Sequence, residues 1–203
     1  MSILFLDLET SGLPQQKEGR YYYSYKNIEK YDTARIVQFS FIRYTKSGRM
    51  LSMNDHIIRP ADFLISPEST AIHHITQDQA LKEGEELSDV MDIFEDELDK
   101  SKMLVMHNVQ FDKTILLSEA HRMGRSELIN KMYNTEYYCT MRKTKDLCKL
   151  PSQYYDGHKL PKLSELHNHL FKNDPINPAI LHNALNDVKV TAKCFFKLMK
   201  RGR

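Results

Sequence analysis

The sequence predicts an α/β fold in which a mixed central β-sheet of about five strands, the first three of them antiparallel, is flanked by α-helices. Three short apolar segments come first along the chain, and helical patterns alternate with a further short apolar segment after them. This order of elements is typical of a sheet covered by helices. A length of 203 residues predicts a single domain over residues 1–203, with room for a hydrophobic core.

Three strands are predicted in the first third of the chain. Residues 2–8 (SILFLDL) are apolar and lead into a turn-forming Ser-Gly-Leu-Pro at 11–14, a pattern typical of a buried strand. Residues 36–44 and 50–58 are separated by a Ser-Gly turn at 47–48, and together they predict an antiparallel hairpin.

Helices dominate the predictions for the rest of the chain. Apolar residues recur at spacings of three and four over 87–98, which predicts an amphipathic helix. Asn108 is a suitable cap for a helix that runs to about Met123 and stops at Gly124. Further helices are predicted over 68–74, 162–171 and 183–200, and a short buried strand over 103–106.

Two segments show no helical or strand period. Residues 15–34 are rich in tyrosine and predict a loop, which either packs against the domain or determines specificity; of the two we favour packing. Residues 133–159 are basic and aromatic, and their secondary structure stays open.

The charges are divided unevenly between the two halves of the chain. Residues 1–100 contain 11 basic and 18 acidic residues, whereas residues 101–203 contain 18 basic and 9 acidic ones. A basic half can attract nucleic acid even though the net charge of the whole chain is only +2.

Cysteine and hydropathy patterns predict an intracellular protein, cytoplasmic or, in a eukaryote, nuclear. The three cysteines are an odd number at spacings that match no zinc pattern, so reduced thiols are expected. The apolar run at 3–6 is short and lacks preceding basic residues, unlike a signal peptide. No segment approaches the ~18 apolar residues of a membrane span, so no membrane partner is expected.

Asp7 and Glu9 stand at the end of the first predicted strand. Side chains two positions apart leave a strand on the same face, so the two carboxylates are neighbours. Their burial and mutual repulsion are costly unless a cation lies between them, which indicates a metal site. An exposed strand end that leads into a polar loop explains the same residues without a metal, and at this point both interpretations stand.

Two further acidic positions follow later in the chain. Asp112 lies in the first turn of a predicted helix after a buried strand, where ligand sites of α/β proteins concentrate, although the helix dipole alone accounts for an acidic residue there. His182 and Asp187 are separated by about 140° of rotation if both lie on one helix. They can converge only if His182 precedes the helix.

Taken together, these segments resemble the three motifs of the DnaQ-like (DEDDh) 3′–5′ exonucleases, a family of the RNase H-like superfamily. The first motif resembles FLDLETSGL at 5–13, the second HNVQFD at 107–112 and the third HNALND at 182–187, in the family's order. The resemblance covers nearly the whole chain and implies an RNase H-like fold. It also implies hydrolysis from a 3′ end that releases nucleoside 5′-monophosphates. Shorter agreements occur at 35–38 (RIVQ), 72–76 (IHHIT) and 161–166 (PKLSEL).

The resemblance further implies a site for two divalent cations, Mg²⁺ or Mn²⁺, which suit hard oxygen ligands and phosphodiester hydrolysis. By resemblance, Asp7 bridges both ions and Asp112 serves the second ion. Glu9 and Asp187 complete the ion site that activates water. His182 is the implied general base, because an unperturbed imidazole titrates at about 6.5, close to neutral pH.

Five residues are implied as contacts of the substrate strand. Leu13 and Ile72 correspond to an apolar pair that wedges against the terminal base, and Thr10 lies near the terminal ribose. Asn108 and Phe111 lie beside the scissile phosphate. Ordinary core packing is the alternative role for Leu13, Ile72 and Phe111.

The implied substrate is the 3′ end of a single-stranded nucleic acid, with DNA favoured over RNA. An RNA-trimming or oligoribonuclease-like enzyme shares the same catalytic set, because contacts to the 2′-hydroxyl cannot be read from the sequence. A non-catalytic binding module is the third hypothesis, and the complete set of carboxylates with His182 argues against it. A polymerase or another replication or repair protein stays open as a partner, and so does the choice between monomer and homodimer.

Basic and aromatic residues alternate over 137–162, from Tyr137 to Lys162. Such interleaving suits a groove that follows a nucleic-acid backbone, and a solvated surface is the competing interpretation. The residues concerned are Tyr137, Tyr138, Arg142, Lys143, Lys145, Lys149, Tyr154, Tyr155, His158, Lys159 and Lys162.

Overall fold

A five-stranded mixed sheet with the strand order β3-β2-β1-β4-β5 forms the centre of the structure. The computed structural model describes residues 2–201. Neighbouring strands run antiparallel from β1 to β2 and from β2 to β3, whereas β4 lies parallel to β1 and β5 parallel to β4. The predicted α/β fold with three antiparallel strands first is therefore confirmed. The strands are β1 (Ser2–Thr10), β2 (Ile36–Thr45), β3 (Met50–Ile57), β4 (Ser101–Met106) and β5 (Glu136–Cys139).

Helices cover both faces of this sheet, and each predicted helix is present with ends close to those expected. Gly124 has a left-handed backbone (φ 70°) just after α4, as a stop signal requires. Within residues 2–201, no helix has the length and apolar content to cross a membrane. The helices are α1 (Pro67–His73), α2 (Gln77–Glu83), α3 (Leu87–Asp99), α4 (Val109–Arg122), α5 (Ser126–Asn134), α6 (Thr140–Lys143), α7 (Lys145–Cys148), α8 (Leu163–Leu170) and α9 (Ala184–Arg201).

Five of these elements, α2, α5, α6, α7 and β5, were not predicted from the sequence. Helices α6 and α7 have four residues each and lie within the segment 133–159. Helix α2 has seven residues, too few for an apolar period to be visible, and it begins at the cap formed by Thr76. Helix α5 and strand β5 extend into the segment 133–159, where basic and aromatic residues obscure the pattern. Strand β5 has four residues and lies at the sheet edge, parallel to β4, so it forms backbone hydrogen bonds with a single neighbouring strand.

Strand β1 is buried on both faces, and its alternation separates two hydrophobic clusters. Leu4, Leu6 and Leu8 pack in the cluster that contains α3 and α4. Ile3 and Phe5 point to the opposite face, where they pack against Val188, Ala192 and Phe195 of α9. Residues of β1 at odd positions therefore face α9.

The tyrosine-rich segment 15–34 is tied down at several points. Tyr31 is completely buried, and its hydroxyl donates to the carbonyl of Tyr23. Arg122 of α4 donates to the carbonyl of Ile28 at 3.1 Å and to the carboxylate of Asp32 at 2.8 Å. The segment is therefore packed against α4 along much of its length, as the favoured interpretation requires.

A buried ion pair joins the sheet to α4. Arg35 Nε, just before β2, donates to Glu119 Oε1 at 2.6 Å, and the Glu119 side chain is only 2% exposed. The backbone of Arg35 also forms hydrogen bonds with Ser11, the first residue of the turn that follows β1. The pair thus connects the turn after β1 with the helix that follows β4.

We expect Glu119→Ala to lower the free energy of unfolding by about 3 kcal/mol, because the largely buried guanidinium of Arg35 loses its buried partner and keeps only the exposed carboxylate of Asp62. The measurement is chemical denaturation at neutral pH. Asp92→Ala is the matched control: Asp92 pairs with Arg125 but is 69% exposed, so a loss below about 1 kcal/mol is expected. Similar losses in the two variants would contradict a dominant role for the buried pair.

Candidate active site

Carboxylates from two distant segments meet at the carboxyl end of β1. Asp7 and Glu9 lie on the face of β1 that packs against α9, two residues apart as predicted. Asp187 lies in the first turn of α9. One oxygen from each of the three carboxylates lies within 4.8 Å of the others, close enough to share a cation.

The start of α9 explains how His182 and Asp187 converge. His182 precedes the helix and has a left-handed backbone (φ 63°). Its backbone N–H donates to Asp187 Oδ2 at 3.4 Å, so the chain folds back onto the first helical turn. His182 therefore precedes α9, as its convergence with Asp187 requires.

Gln38 holds this helix start against the sheet, a role that the sequence analysis did not assign. It is buried on β2 directly opposite Glu9. Its Oε1 accepts the backbone N–H of Ala184 at 3.0 Å, and its Nε2 donates to Asp55 Oδ1 at 2.8 Å. The agreement of RIVQ at 35–38 with the family was the sequence signal that pointed to Gln38. Its contact with the start of α9 is visible only in the fold.

Asp112 completes the acidic set from the first turn of α4, immediately after β4. The side chain is buried, and burial raises its pKa well above the ordinary value, with Glu9 and Asp187 adding to the rise. Backbone N–H groups of Leu8 and of Asp112 itself oppose that rise. Asp112 therefore lies close to the end of β1 because α4 begins where β4, the parallel neighbour of β1, ends.

The electrostatics of the acidic set favour the binding of a cation. Burial, followed by the charges of Asp112, Asp187 and Glu9, raises the pKa of Asp7 well above its ordinary value. Burial and Asp187 raise the pKa of Glu9 to about 8, and burial raises that of Asp187 to about 7. Asp187 Oδ1 is buried and accepts no hydrogen bond from the described residues. An all-oxygen set with an unsatisfied buried oxygen fits a hard divalent cation.

These groups line an open cleft of about 400 Å³. Every predicted site residue except Thr10 and Ile72 contributes to its lining. His182 is exposed there, and Leu13 is 76% exposed, so core packing is not the role of Leu13. Residues that were not predicted also line it, namely Leu8, Tyr22, His107 and Leu163.

The family model of the RNase T exonucleases matches residues 4–195, almost the entire chain. The chain belongs to the RNase T exonuclease family. This match confirms the resemblance to DnaQ-like exonucleases that the three motifs indicated, and with it the predicted class of enzyme. No curated protein matched the chain.

Several solved structures of Exonuclease I have a similar fold. The Escherichia coli enzyme in complex with a dA16 oligonucleotide superposes with a TM-score of 0.68 at 17% identity, covering 98% of this chain and 41% of that one. The zinc-bound complex of the E. coli enzyme with single-stranded DNA gives 0.69 at 20% identity, covering 98% and 40%. Exonuclease I from Methylocaldum szegediense gives 0.68 at 17%, covering 98% and 40%. This exonuclease-family chain thus spans about two fifths of the length of those proteins.

The remaining predicted contacts of the substrate occupy varied surroundings. Thr10 is buried, and its hydroxyl donates to the carbonyl of Gly12 at 2.7 Å, within the turn that presents Leu13. A Cβ at Gly12 would lie 2.5 Å from the carbonyl oxygen of Thr33, which explains the glycine. Ile72 is 52% exposed on α1 and does not line the cleft formed by the described residues, so core packing does not describe it either.

The two residues of the second motif differ in their packing. Asn108 occupies the cap position of α4 with a left-handed backbone (φ 77°), but its side chain makes no capping hydrogen bond, contrary to expectation. Phe111 is partly buried and packs against the main core cluster, so it combines the packing role with a place in the cleft.

His107 is held in a different way from His182. Its Nε2 donates to the carbonyl of Pro161 at 3.1 Å, and its Nδ1 lies 2.9 Å from the hydroxyl of Thr140. Burial lowers its pKa to about 4. His107 is therefore a neutral tie between β4, α6 and the segment before α8.

The basic segment 137–162 is partly neutralised by local partners. Lys159 is neutralised by Glu165 at 2.5 Å, whereas Arg142 donates to the uncharged amide of Gln110, within the second motif, at 2.8 Å. Tyr154 is 88% exposed and Tyr155 53%. The segment offers exposed aromatic and basic groups, while a strand-binding role for it stays a prediction.

We expect the metal-free protein to lose stability as pH rises from weakly acidic to weakly basic values. The pKa of Glu9 in the folded chain is about 8 against an ordinary 4.5, and that of Asp187 about 7 against 3.8. A raised folded pKa contributes stability that is complete below the unfolded pKa and is lost as pH rises to the folded one. The thermal midpoint in EDTA should therefore fall between about pH 5 and about pH 8.

Mg²⁺ or Mn²⁺ should raise this midpoint more at about pH 8 than at about pH 5, because the cation competes with protons for the same carboxyls. Glu9→Gln is the control, and its midpoint should depend less on pH because one titrating group is gone. An identical pH dependence in the wild type and in Glu9→Gln would contradict the assignment of a raised pKa to Glu9.

Proposed function

We propose that this chain is a metal-dependent exonuclease that removes nucleotides from the 3′ end of single-stranded DNA and releases nucleoside 5′-monophosphates. The observation that carries the proposal is the convergence of Asp7, Glu9, Asp112 and Asp187 at the floor of an open cleft. The Exonuclease I structures that contain single-stranded DNA support the choice of substrate, as does the family.

Two divalent cations, Mg²⁺ or Mn²⁺, would supply an activated water and stabilise the charge that develops on the leaving oxygen. Asp7 lies at the centre of the acidic set and would contact both ions. Glu9 and Asp187 would hold the ion on the water side, and Asp112 would hold the ion on the side of the leaving oxygen. The buried, unsatisfied oxygen of Asp187 supports this arrangement.

His182 is the proposed general base. Its ring is exposed at the cleft, so it can accept a proton from water and pass it to solvent. The hydrogen bond between its backbone N–H and Asp187 Oδ2 supports a position for this residue next to the proposed water-side ion. His107 is unsuited to this task because its pKa of about 4 keeps the ring a poor base and both ring nitrogens are occupied.

RNA is the alternative substrate, because the same carboxylates serve both polymers and the 2′-hydroxyl alone distinguishes them. A purely binding module is less well supported, because all four carboxylates and His182 line the same cleft. We further propose an intracellular enzyme, consistent with the free thiols of all three cysteines. A replication or repair protein as partner, and the choice between monomer and homodimer, belong to the same proposal.

The direct test uses 3′-labelled single-stranded DNA and RNA of one sequence, each with Mg²⁺ and with EDTA. We expect mononucleotide release from DNA in Mg²⁺ and none in EDTA. Asp7→Ala should abolish release, at least 10³-fold, while the protein stays folded, because the ligand common to both ions is lost. Faster degradation of RNA would favour the alternative substrate, and intact strands in every reaction would refute the enzyme.

His182→Ala should lower kcat by about 10² to 10⁴ because general-base assistance is lost, while the affinity for Mn²⁺ changes by less than about twofold. Thermal shift titration gives the affinity, and single-turnover kinetics give the rate. Lys189→Ala, a change of an exposed residue two positions after Asp187 on α9, serves as the control. A loss of Mn²⁺ affinity as large as the loss of rate would place His182 among the metal ligands instead.

A further inference from the structure

The tyrosine-rich segment 15–34 places one of its side chains in the cleft. Tyr22 lines the cleft together with Phe111 and Asp112. Its ring meets that of Phe111 nearly edge-on, with ring centroids 6.2 Å apart and an interplanar angle of 62°. The preceding Tyr21 is 67% exposed and does not line the cleft of the described structure. The segment therefore contributes a side chain to the cleft in addition to packing against the domain.

The ring of Tyr22 is held by a short hairpin rather than by a free loop. Gln16 and Tyr22 form an antiparallel bridge, and the backbone N–H of Lys17 donates to the carbonyl of Tyr21 at 2.8 Å. Next along the chain, Tyr23 has the ammonium groups of Lys17 and Lys30 over its ring at 5.3 and 5.2 Å. Tyr22 is thus pre-positioned before any strand enters.

The position of Tyr22 beside Asp112 indicates which part of a strand it would meet. In the proposed reaction, the leaving oxygen is the 3′ oxygen of the nucleotide that remains on the strand. Asp112 is assigned to the ion beside that oxygen. The aromatic surface formed by Tyr22 and Phe111 consequently adjoins the retained nucleotide and not the one that is released.

We propose that Tyr22 is a strand-binding residue on which the base of the penultimate nucleotide stacks, with Phe111 supporting the ring from its edge. This inference rests on the proposed function. Stacking on an aromatic ring accepts any base, so the contact would favour an unpaired end without selecting a sequence. The segment 15–34 is then both a packed insertion and a determinant of how the strand is seated.

The test compares wild type, Tyr22→Ala and Tyr22→Phe on two single-stranded DNAs that differ only in the base of the penultimate nucleotide, present in one and absent in the other. On the complete strand, Tyr22→Ala should raise KM about tenfold, the usual effect of losing one base–aromatic stack, with kcat within about twofold. Tyr22→Phe keeps the ring and should resemble wild type. On the strand without that base, wild type and Tyr22→Ala should become equal.

Tyr21→Ala is the matched control and should leave both strands unaffected, and thermal midpoints verify that each variant is folded. An equal loss on both strands, or no loss on either, would overturn stacking on the penultimate base. The proposed function fails in a different way, with wild type cleaving neither strand. In that case, the Kd of the same two strands in EDTA, measured by fluorescence anisotropy for the same variants, still decides whether Tyr22 contacts that base.

Discussion

The burial of four neighbouring carboxylates at the end of β1 is the constraint on which the rest of the structure depends. Asp7 and Glu9 are forced onto one face by the alternation of a strand that is buried on both sides. Asp187 and Asp112 then approach from two different helices. Without a cation the charged forms are unfavourable, which the raised pKa values of all four groups express. The acidic set that would bind the cations therefore lowers the stability of the metal-free fold in this region.

Contacts away from the cleft offset that cost by fixing the elements that bring the carboxylates together. Gln38 links β2 to the first turn of α9, so it sets the distance from Asp187 to Glu9. Arg35 and Glu119 link the turn after β1 to α4, which carries Asp112. Since both links originate in the start of β2, that short stretch of strand positions the helices on either side of the sheet.

Much of this arrangement could be predicted from the sequence, because the relevant patterns are local. The apolar period of β1, the helix signals and the three motifs all lie within short windows. Strand β5 was missed because its four residues acquire their conformation from pairing with β4. The contact of Gln38 and the place of Tyr22 were missed for a related reason, since each depends on residues far along the chain. Tyr22 lines the cleft, and contacts of Tyr31 and Arg122 anchor the segment that follows it.

The two histidines beside the cleft show how environment, and not residue type, determines chemical role. His107 and His182 both begin an exonuclease motif with the dipeptide His-Asn. Burial and two hydrogen-bond partners make His107 a neutral brace with a pKa of about 4. His182 is exposed on a left-handed turn, and it is anchored by its backbone, so its ring is left free. The fold thus holds His107 through its ring and His182 through its backbone. A ring that stays accessible to solvent suits the role of general base that we propose for His182, whereas a ring held at both nitrogens suits a brace.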